Sequence, residues 1–348
     1  MRVRPTAVVL VILAAGAAVR ADPFLPDDPF YAPYQWYGPV LNLPAAWDMS
    51  LGSPDVIVAI LDTGVMTATP DLAGRLLPPL SATGNAPLNG TYNHHGTWVA
   101  SVVGMGVNNA TGGAGVGNFS LLPITVTNVA GHNSSEDIAL GIRMAADAGA
   151  RVINVSHSTL RYGPLDAAAA YARSLGALTF VAAGNSNLRD PMTGYQNLIF
   201  VAGTDQDDER WDGGTYGSTW GPYVDLSAPA SGILVADPAD PNLPSGYGVH
   251  YGTSYSAALA SGAAALAWSV FPDLTADQVL DLLVSTAVDL GDPGWDEVFG
   301  HGRIDIGAVA QGAYALSPEP ATVGLLSLGI LGLMARRRRR PDRRVLHA

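Results

Sequence analysis

Three short segments carry residue types that could work together in hydrolysis. An apolar, strand-like run ends in Asp62, His95 opens a run of small residues, and Ser254 follows a Gly-rich turn into a second small-residue run. A carboxylate, an imidazole and a hydroxyl are the groups that activate an oxygen nucleophile by general-base catalysis. The segments span residues 58–65, 94–101 and 252–262.

Each segment also has an ordinary structural interpretation when it is taken alone. Asp before Thr-Gly is typical of a turn, and Ser or His near a helix start is often a cap or a satisfied core residue. A hydroxyl, however, is a poor nucleophile until a base with a near-neutral pKa contacts it, and histidine has that pKa. The three segments together therefore favour nucleophilic catalysis over three unrelated turns.

The elements that must position these residues alternate along the chain. Short runs rich in Val, Ile and Leu alternate with helix-like stretches, a pattern typical of a parallel sheet covered on both faces. Ligands bind at the carboxyl ends of such strands, so Asp62, Ser156 and Asn185 are expected at one edge of the sheet. The predicted strands are 56–61, 120–126, 151–156, 178–183 and 198–202, and the predicted helices are 96–104, 135–148 and 165–175.

The middle of the chain resembles the subtilisin-like serine proteases (subtilases, peptidase family S8), and within them the thermitase branch. The order Asp, His, Ser and the flanks of the three segments carry the resemblance. It implies a three-layer α/β fold with a mostly parallel central sheet and helices on both faces, spanning residues 28–315. Further matching segments are residues 28–31, 35–36, 44–48, 152–156, 181–185, 274–287 and 300–303.

The resemblance also implies a role for each catalytic residue. Ser254 would attack the scissile carbonyl, His95 would take and return its proton, and Asp62 would hold the imidazole. Asn185 would help to bind the oxyanion. His94 competes with His95 for the role of base, and the following Gly-Thr favours His95.

Two segments are expected to wall the substrate pocket. By resemblance, one wall is Ser156, His157 and Ser158, and the other is Ala182, Ala183 and Gly184. His157 and Ser158 depart from the family pattern of an apolar residue followed by Gly, which leaves the preferred substrate side chain open. Trp98 and Ala258 depart from the usual His and Pro.

A structural calcium ion is the cofactor that the resemblance implies. Calcium prefers six to eight hard oxygen ligands. Side-chain oxygens would come from Asp28, Asp71 and Asn109, and carbonyl oxygens from Gly106, Thr111 and Gly113. The alternative is a Gly-rich surface turn without an ion.

Composition narrows the classes of partner. The net charge is −12, no lysine occurs, and there is no cysteine. Nucleic acid is therefore not an expected partner, and disulfides, thiol catalysis and Cys-ligated metals are excluded. We expect a monomer that acts on a protein or peptide.

Both chain ends resemble export signals. Residues 1–21 have the charged start and short apolar core of a signal peptide, and the alternative is a buried N-terminal helix. Because this segment runs almost directly into the domain, we expect the domain to fold without an attached pro-domain, either unaided or with the help of another chain.

Residues 317–344 resemble a PEP-CTERM sorting tail, with a motif (318–320), an apolar helix (321–335) and an Arg cluster (336–344). The resemblance implies an exosortase partner, membrane contact through the tail, and a surface or matrix location in a Gram-negative bacterium. The alternative is a simple C-terminal membrane anchor, which differs only in whether the tail is removed. In both cases the arginines stay on the cytoplasmic side and the domain lies outside.

These observations favour an exported serine endopeptidase. The alternatives are a catalytically weak surface module that binds peptides on the same fold, and a structural matrix component suggested by the tail alone.

Overall fold

A seven-stranded parallel sheet forms the centre of the computed structural model, which describes residues 23–90, 93–128, 132–157, 163–238 and 246–318. The strands are β1 (Ile57–Asp62), β2 (Leu80–Ser81), β3 (Ser120–Thr125), β4 (Val152–Val155), β5 (Leu178–Ala182), β6 (Leu198–Thr204), β7 (Val224–Pro229), β8 (Ile233–Ala236) and β9 (Tyr247–His250). The spatial order of the sheet is β2-β3-β1-β4-β5-β6-β7, and a separate antiparallel hairpin pairs β8 with β9.

Helices cover both faces of the sheet. In β1, Val58 and Ile60 join one apolar cluster while Ala59 and Leu61 join another, because successive side chains of a strand point to opposite faces. The helices are α1 (Tyr31–Tyr34), α2 (Tyr37–Val40), α3 (Leu43–Met49), α4 (His95–Gly104), α5 (Ser135–Asp147), α6 (Gly163–Ser174), α7 (Thr253–Val270), α8 (Ala276–Ser285) and α9 (Ile306–Leu316). Helices α5 and α6 pack in the second cluster, and α3, α4, α7, α8 and α9 pack in the first.

The predicted α/β fold with a mostly parallel sheet is confirmed. Every predicted strand and helix is present, with ends displaced by no more than about two residues, the usual uncertainty of boundaries. Among the strands, the sequence pattern missed β2, β7 and the β8–β9 hairpin. Strand β7 contains Asp225 and ends in Pro229, so it lacks the continuous apolar run that marked the other strands.

Much of the two predicted sorting segments lies outside the described residues. This applies to the whole predicted signal peptide (1–21) and to residues 319–344 of the predicted tail. Within the described ranges, no helix is long and apolar enough to cross a membrane.

Helix α7 runs through the first apolar cluster and is buried on almost all sides. Its residues 253–268 are all buried, which requires small side chains where neighbouring elements approach. Gly262 is such a position, because a Cβ atom built there would lie 2.5 Å from the Cβ of Val116. The abundance of Ala and Gly in this helix therefore reflects close packing around the segment that carries Ser254.

We expect Gly262→Ala to lower the free energy of unfolding by about 1–3 kcal/mol, because the added methyl group overpacks the core against Val116. Denaturant unfolding measures the change. Gly163→Ala is the matched control, since a Cβ at Gly163 meets no atom within 4 Å. Equal stability of the two variants would contradict this account of α7 packing.

Candidate active site

Asp62 is the last residue of β1 and is completely buried. The backbone N–H of Thr63 donates to its Oδ1 at 2.7 Å. A buried carboxylate needs hydrogen-bond partners to stay ionised, because burial disfavours the charged form. The end of β1 therefore presents a fixed negative charge at the carboxyl edge of the sheet.

His95 is brought over Asp62 by a close approach of two backbone segments. Helix α4 begins at His95, and the next residue, Gly96, packs so closely that a Cβ there would lie 2.3 Å from the carbonyl oxygen of Gly64. The Gly96 N–H also donates to Thr63 Oγ1 at 3.0 Å. The glycine after the histidine is thus what lets the start of α4 pack against the end of β1.

Ser254 lies in the first turn of α7 and is 6% exposed. Gly252, which precedes the helix, has φ of 145°, a conformation that favours glycine. A side chain at Gly252 would also approach the Asn185 amide, whose nitrogen lies 3.3 Å from the built Cβ. The Gly-rich turn is therefore a steric requirement of this site.

The three side chains form one continuous hydrogen-bonded chain. His95 Nδ1 lies 2.9 Å from both carboxylate oxygens of Asp62, and His95 Nε2 lies 3.1 Å from Ser254 Oγ. Nδ1–H can only donate to the carboxylate, so the neutral ring leaves Nε2 as an acceptor for the hydroxyl proton. This arrangement can remove a proton from Ser254.

The charges of Asp62 and His95 support each other. Burial would raise the pKa of Asp62, but attraction to His95 and the hydrogen bonds from its ring outweigh burial and lower it. Burial would lower the pKa of His95, but attraction and hydrogen bonding to Asp62 outweigh burial and raise it. The site therefore holds an ionised carboxylate that stabilises a protonated imidazole.

Asn185 lies beside Ser254 and is held in one orientation by Thr253. Its Oδ1 accepts hydrogen bonds from the backbone N–H and the hydroxyl of Thr253, both at 2.9 Å. The amide N–H donors are thereby directed away from Thr253, and Asn185 lines the cavity that also contains Ser254 and His95. Sequence reasoning singled out Asn185 but missed Thr253, although it directly precedes the serine.

The two predicted pocket walls differ in what they contribute. Ser156, His157 and Ala182 line the cavity beside the triad. The backbones of Ala183 and Gly184 instead bond to side chains. The Tyr223 hydroxyl donates to the carbonyl oxygen of Ala183, and the Gly184 N–H donates to Thr253 Oγ1. The predicted Ser158 lies outside the described residues.

His94 has a different set of contacts from His95. Its Nδ1 lies 3.4 Å from Oδ1 of the buried Asp237, whose Oδ2 is 3.1 Å from His250 Nε2. Trp98 stacks on His250 with ring centroids 4.1 Å apart. Nothing in the sequence pattern pointed to Asp237, which links the chain before α4 to the chain before α7.

The predicted calcium ligands come together between the N-terminal segment and the chain after α4. Asp28 and Asp71 are 4% and 1% exposed, and burial is the main reason that the pKa of Asp71 is raised to about 6. The amide nitrogen of Asn109 donates to Asp71 Oδ1 at 2.8 Å, so its oxygen would have to turn toward an ion. Nearby, Arg75 attracts both carboxylates and donates to Asn118.

The backbone oxygens of this loop divide into two groups. Gly112 O accepts from Phe30 N–H, and Asn109 O accepts from the Thr111 hydroxyl. No donor in the described residues is bonded to the carbonyl oxygens of Gly106, Thr111 and Gly113, the three predicted as ligands. No cluster of three or more His, Asp or Glu side chains suited to a metal occurs in the described ranges, so an ion here would depend on these carbonyls.

Comparison with known proteins places these features in one family. Residues 53–302 match the family model described as the subtilase family, and residues 318–340 match a model of the PEP-CTERM protein-sorting motif. Thermitase of Thermoactinomyces vulgaris is 37% identical over 70% of this chain and 85% of its own length. Subtilisin DY of Bacillus licheniformis is 33% identical over 74% of this chain and 91% of its own.

Other relatives extend the comparison. The halolysin-like extracellular serine protease Nep of Natrialba magadii is 33% identical over 81% of this chain, which spans only about half (52%) of that relative. Among solved structures, a protease from Pseudoalteromonas arctica aligns with a TM-score of 0.70 at 28% identity, covering 83% of this chain and 99% of that one.

A histidine titration tests the electrostatics of the site. In NMR spectra of the histidine-labelled protein, we expect His95 to titrate above its ordinary pKa of 6.5, because Asp62 stabilises the protonated ring. Asp62→Asn should lower the pKa of His95. The His95 signal is assigned as the one that is absent from spectra of the His95→Ala variant. A His95 pKa that is unchanged by Asp62→Asn would contradict the described coupling.

Proposed function

Because the chain belongs to the subtilase family and is a serine endopeptidase, we propose that it hydrolyses peptide bonds with Asp62, His95 and Ser254 as its catalytic triad. The observation that carries the proposal is the unbroken chain of contacts from carboxylate to imidazole to hydroxyl. All three groups lie within hydrogen-bond reach, as proton transfer requires.

In the first half of the reaction, Ser254 Oγ attacks the carbonyl carbon of the scissile bond. Its proton passes to His95 Nε2, and Asp62 stabilises the imidazolium that forms. The carbonyl oxygen becomes an oxyanion, which accepts hydrogen bonds from the Asn185 amide and the Ser254 backbone N–H. Donors aimed at this developing charge stabilise the transition state more than they stabilise the bound substrate, and this difference lowers the barrier.

To complete the first half, the carbon–nitrogen bond breaks and the leaving amine takes the proton from His95. In the second half, water attacks the ester on Ser254 and gives its proton to His95; the ester bond then breaks, His95 returns the proton to Ser254 Oγ, and the acyl group leaves as the new carboxylate end of the peptide. The neutral form of His95 starts each half, so activity should rise with pH as the imidazolium loses its proton.

A surface module that binds peptides without cleaving them is the alternative. Such a module would need a groove that binds the peptide, but it would not need His95 Nε2 to lie 3.1 Å from Ser254 Oγ. That alignment favours hydrolysis.

The location of the substrate follows from the sorting motif. The match at residues 318–340 and the extracellular relative support export. We propose that an exosortase-type enzyme recognises this tail, that the tail contacts the inner membrane of a Gram-negative bacterium before processing, and that the peptides cleaved are met outside that membrane.

A calcium ion is the cofactor that we propose for the loop around Asn109. Two buried carboxylates and three carbonyls that have no donor among the described residues form a set of hard oxygens of the kind that calcium prefers. Asp28, Asp71 and Asn109 would bind the ion through side chains, and Gly106, Thr111 and Gly113 through carbonyls. Bound calcium would neutralise the carboxylates and stabilise the folded state, with no part in the reaction.

Kinetics of triad variants test the catalytic proposal. We expect Ser254→Ala and His95→Ala each to lower kcat on a peptide substrate by about 10⁴–10⁶-fold, because the first removes the nucleophile and the second removes the proton acceptor. His94→Ala is the matched control and should keep activity within about threefold, the effect of a residue outside the reaction. Loss of activity in His94→Ala but not in His95→Ala would overturn the assignment.

Thermal unfolding with and without calcium tests the ion. A ligand that binds only the folded state at 100 times its Kd stabilises it by about 2.7 kcal/mol, so EDTA should lower Tm by roughly 5 °C. Asp28→Asn should abolish this difference, whereas Asp212→Asn, at an exposed site far from the loop in sequence, should keep it. An identical Tm with EDTA and with excess calcium would contradict the proposal.

A further inference from the structure

A cavity of about 400 Å³ opens beside the triad and has an unusual lining for a peptide pocket. Most of the side chains in its lining are polar, and none of the lining residues is Asp, Glu, Lys or Arg. Pockets for apolar ligands are lined mainly by apolar and aromatic groups, so this lining points to a different occupant. The lining residues are Thr63, Asn93, His95, Thr127, Asn133, Ser156, His157, Ala182, Asn185, Thr253 and Ser254.

His157 presents a hydrogen-bond donor without an acceptor. The Asn133 amide nitrogen donates to His157 Nδ1 at 2.8 Å, so the neutral ring carries its proton on Nε2. Nε2 is buried and has no partner among the described residues. Burial lowers the pKa of His157, so the ring stays neutral at neutral pH.

Thr127 provides a second unpaired group in the same lining. The residue is 3% exposed, and its Oγ1 is buried without a partner in the ranges that the structure describes. A buried polar atom left unpaired costs about 1–3 kcal/mol, so a ligand group that reaches and pairs with both atoms would recover this free energy on binding.

We infer that this cavity selects peptides with a carboxamide side chain, asparagine or glutamine, among the residues that precede the scissile bond. The inference rests on the proposed function and adds its substrate class. A carboxamide oxygen accepts from His157 Nε2–H and from the Thr127 hydroxyl, and its NH2 group has the polar oxygens of the lining as acceptors.

Other side chains fit the cavity less well. An apolar side chain leaves both donors unpaired. A carboxylate would be buried near the ionised Asp62, and the one lining group that can carry a positive charge at neutral pH, His95, already pairs with Asp62. A lysine or arginine would bring donors against the His157 donor. The carboxamide is neutral and accepts hydrogen bonds, so it avoids all three costs.

Matched peptides test the inference. Series with Gln, Glu or Met at each position before the scissile bond compare side chains of similar size, and kcat/KM is measured for each. At the position held in the cavity, we expect Gln to exceed both Met and Glu by about tenfold, which is about 1.4 kcal/mol.

Variants assign the preference to the cavity. Thr127→Val and His157→Phe should each reduce the preference for Gln over Met to about twofold, because each removes one of the two donors. Thr179→Val is the matched control, since Thr179 Oγ1 is also buried and unpaired but lies in β5 outside the lining. It should keep the tenfold preference, and thermal unfolding checks that all variants are folded.

The outcomes separate the two proposals. Cleavage with no preference for Gln over Met at any position, or a Gln preference that survives Thr127→Val and His157→Phe, overturns the inference and leaves the proposed function intact. A folded protein that cleaves none of the peptides and does not react with a fluorophosphonate probe overturns both.

Discussion

The contact between Asp62 and His95 is the interaction on which the rest of the site depends. A carboxylate with no solvent exposure is unfavourable at the end of a buried strand unless charged and polar groups surround it. The imidazole of His95, at 2.9 Å from both oxygens, meets that requirement, and the same contact fixes which ring nitrogen is left for Ser254. One hydrogen bond thus serves both the stability of the strand end and the chemistry.

A buried polar chain connects the sheet to α7 and holds Ser254 in register with His95. The Ser261 hydroxyl donates to Asn154 Oδ1, the Asn154 amide donates to Ser156 Oγ, and the Ser156 hydroxyl donates to the carbonyl oxygen of Ser254. All four residues are buried, so each bond forms where water cannot replace it. The small residues of α7 permit the close approach, and these hydrogen bonds fix its position along β4.

The sequence was most informative where chemistry and backbone requirements coincide. Asp62, His95, Ser254 and Asn185 lie in segments whose glycines and apolar runs are themselves diagnostic, and the structure brings these four together at the carboxyl edge of the sheet. Thr127 and Asn133, which line the cavity beside the triad, carry no such local pattern. They reach the site through loops whose paths depend on tertiary packing, so residue type and spacing alone could not reveal them. Strand β7 was missed for a related reason, since its burial comes from its neighbours and not from a continuous apolar run.

The most direct test of the account is to locate the nucleophile covalently. The folded protein is treated with a fluorophosphonate, digested and mapped by mass spectrometry, with the His95→Ala variant treated in parallel. The account predicts a single adduct on Ser254 that forms in the wild-type protein and is nearly absent without His95. An adduct on a different serine, or peptide cleavage that continues while Ser254 stays unmodified, would contradict it.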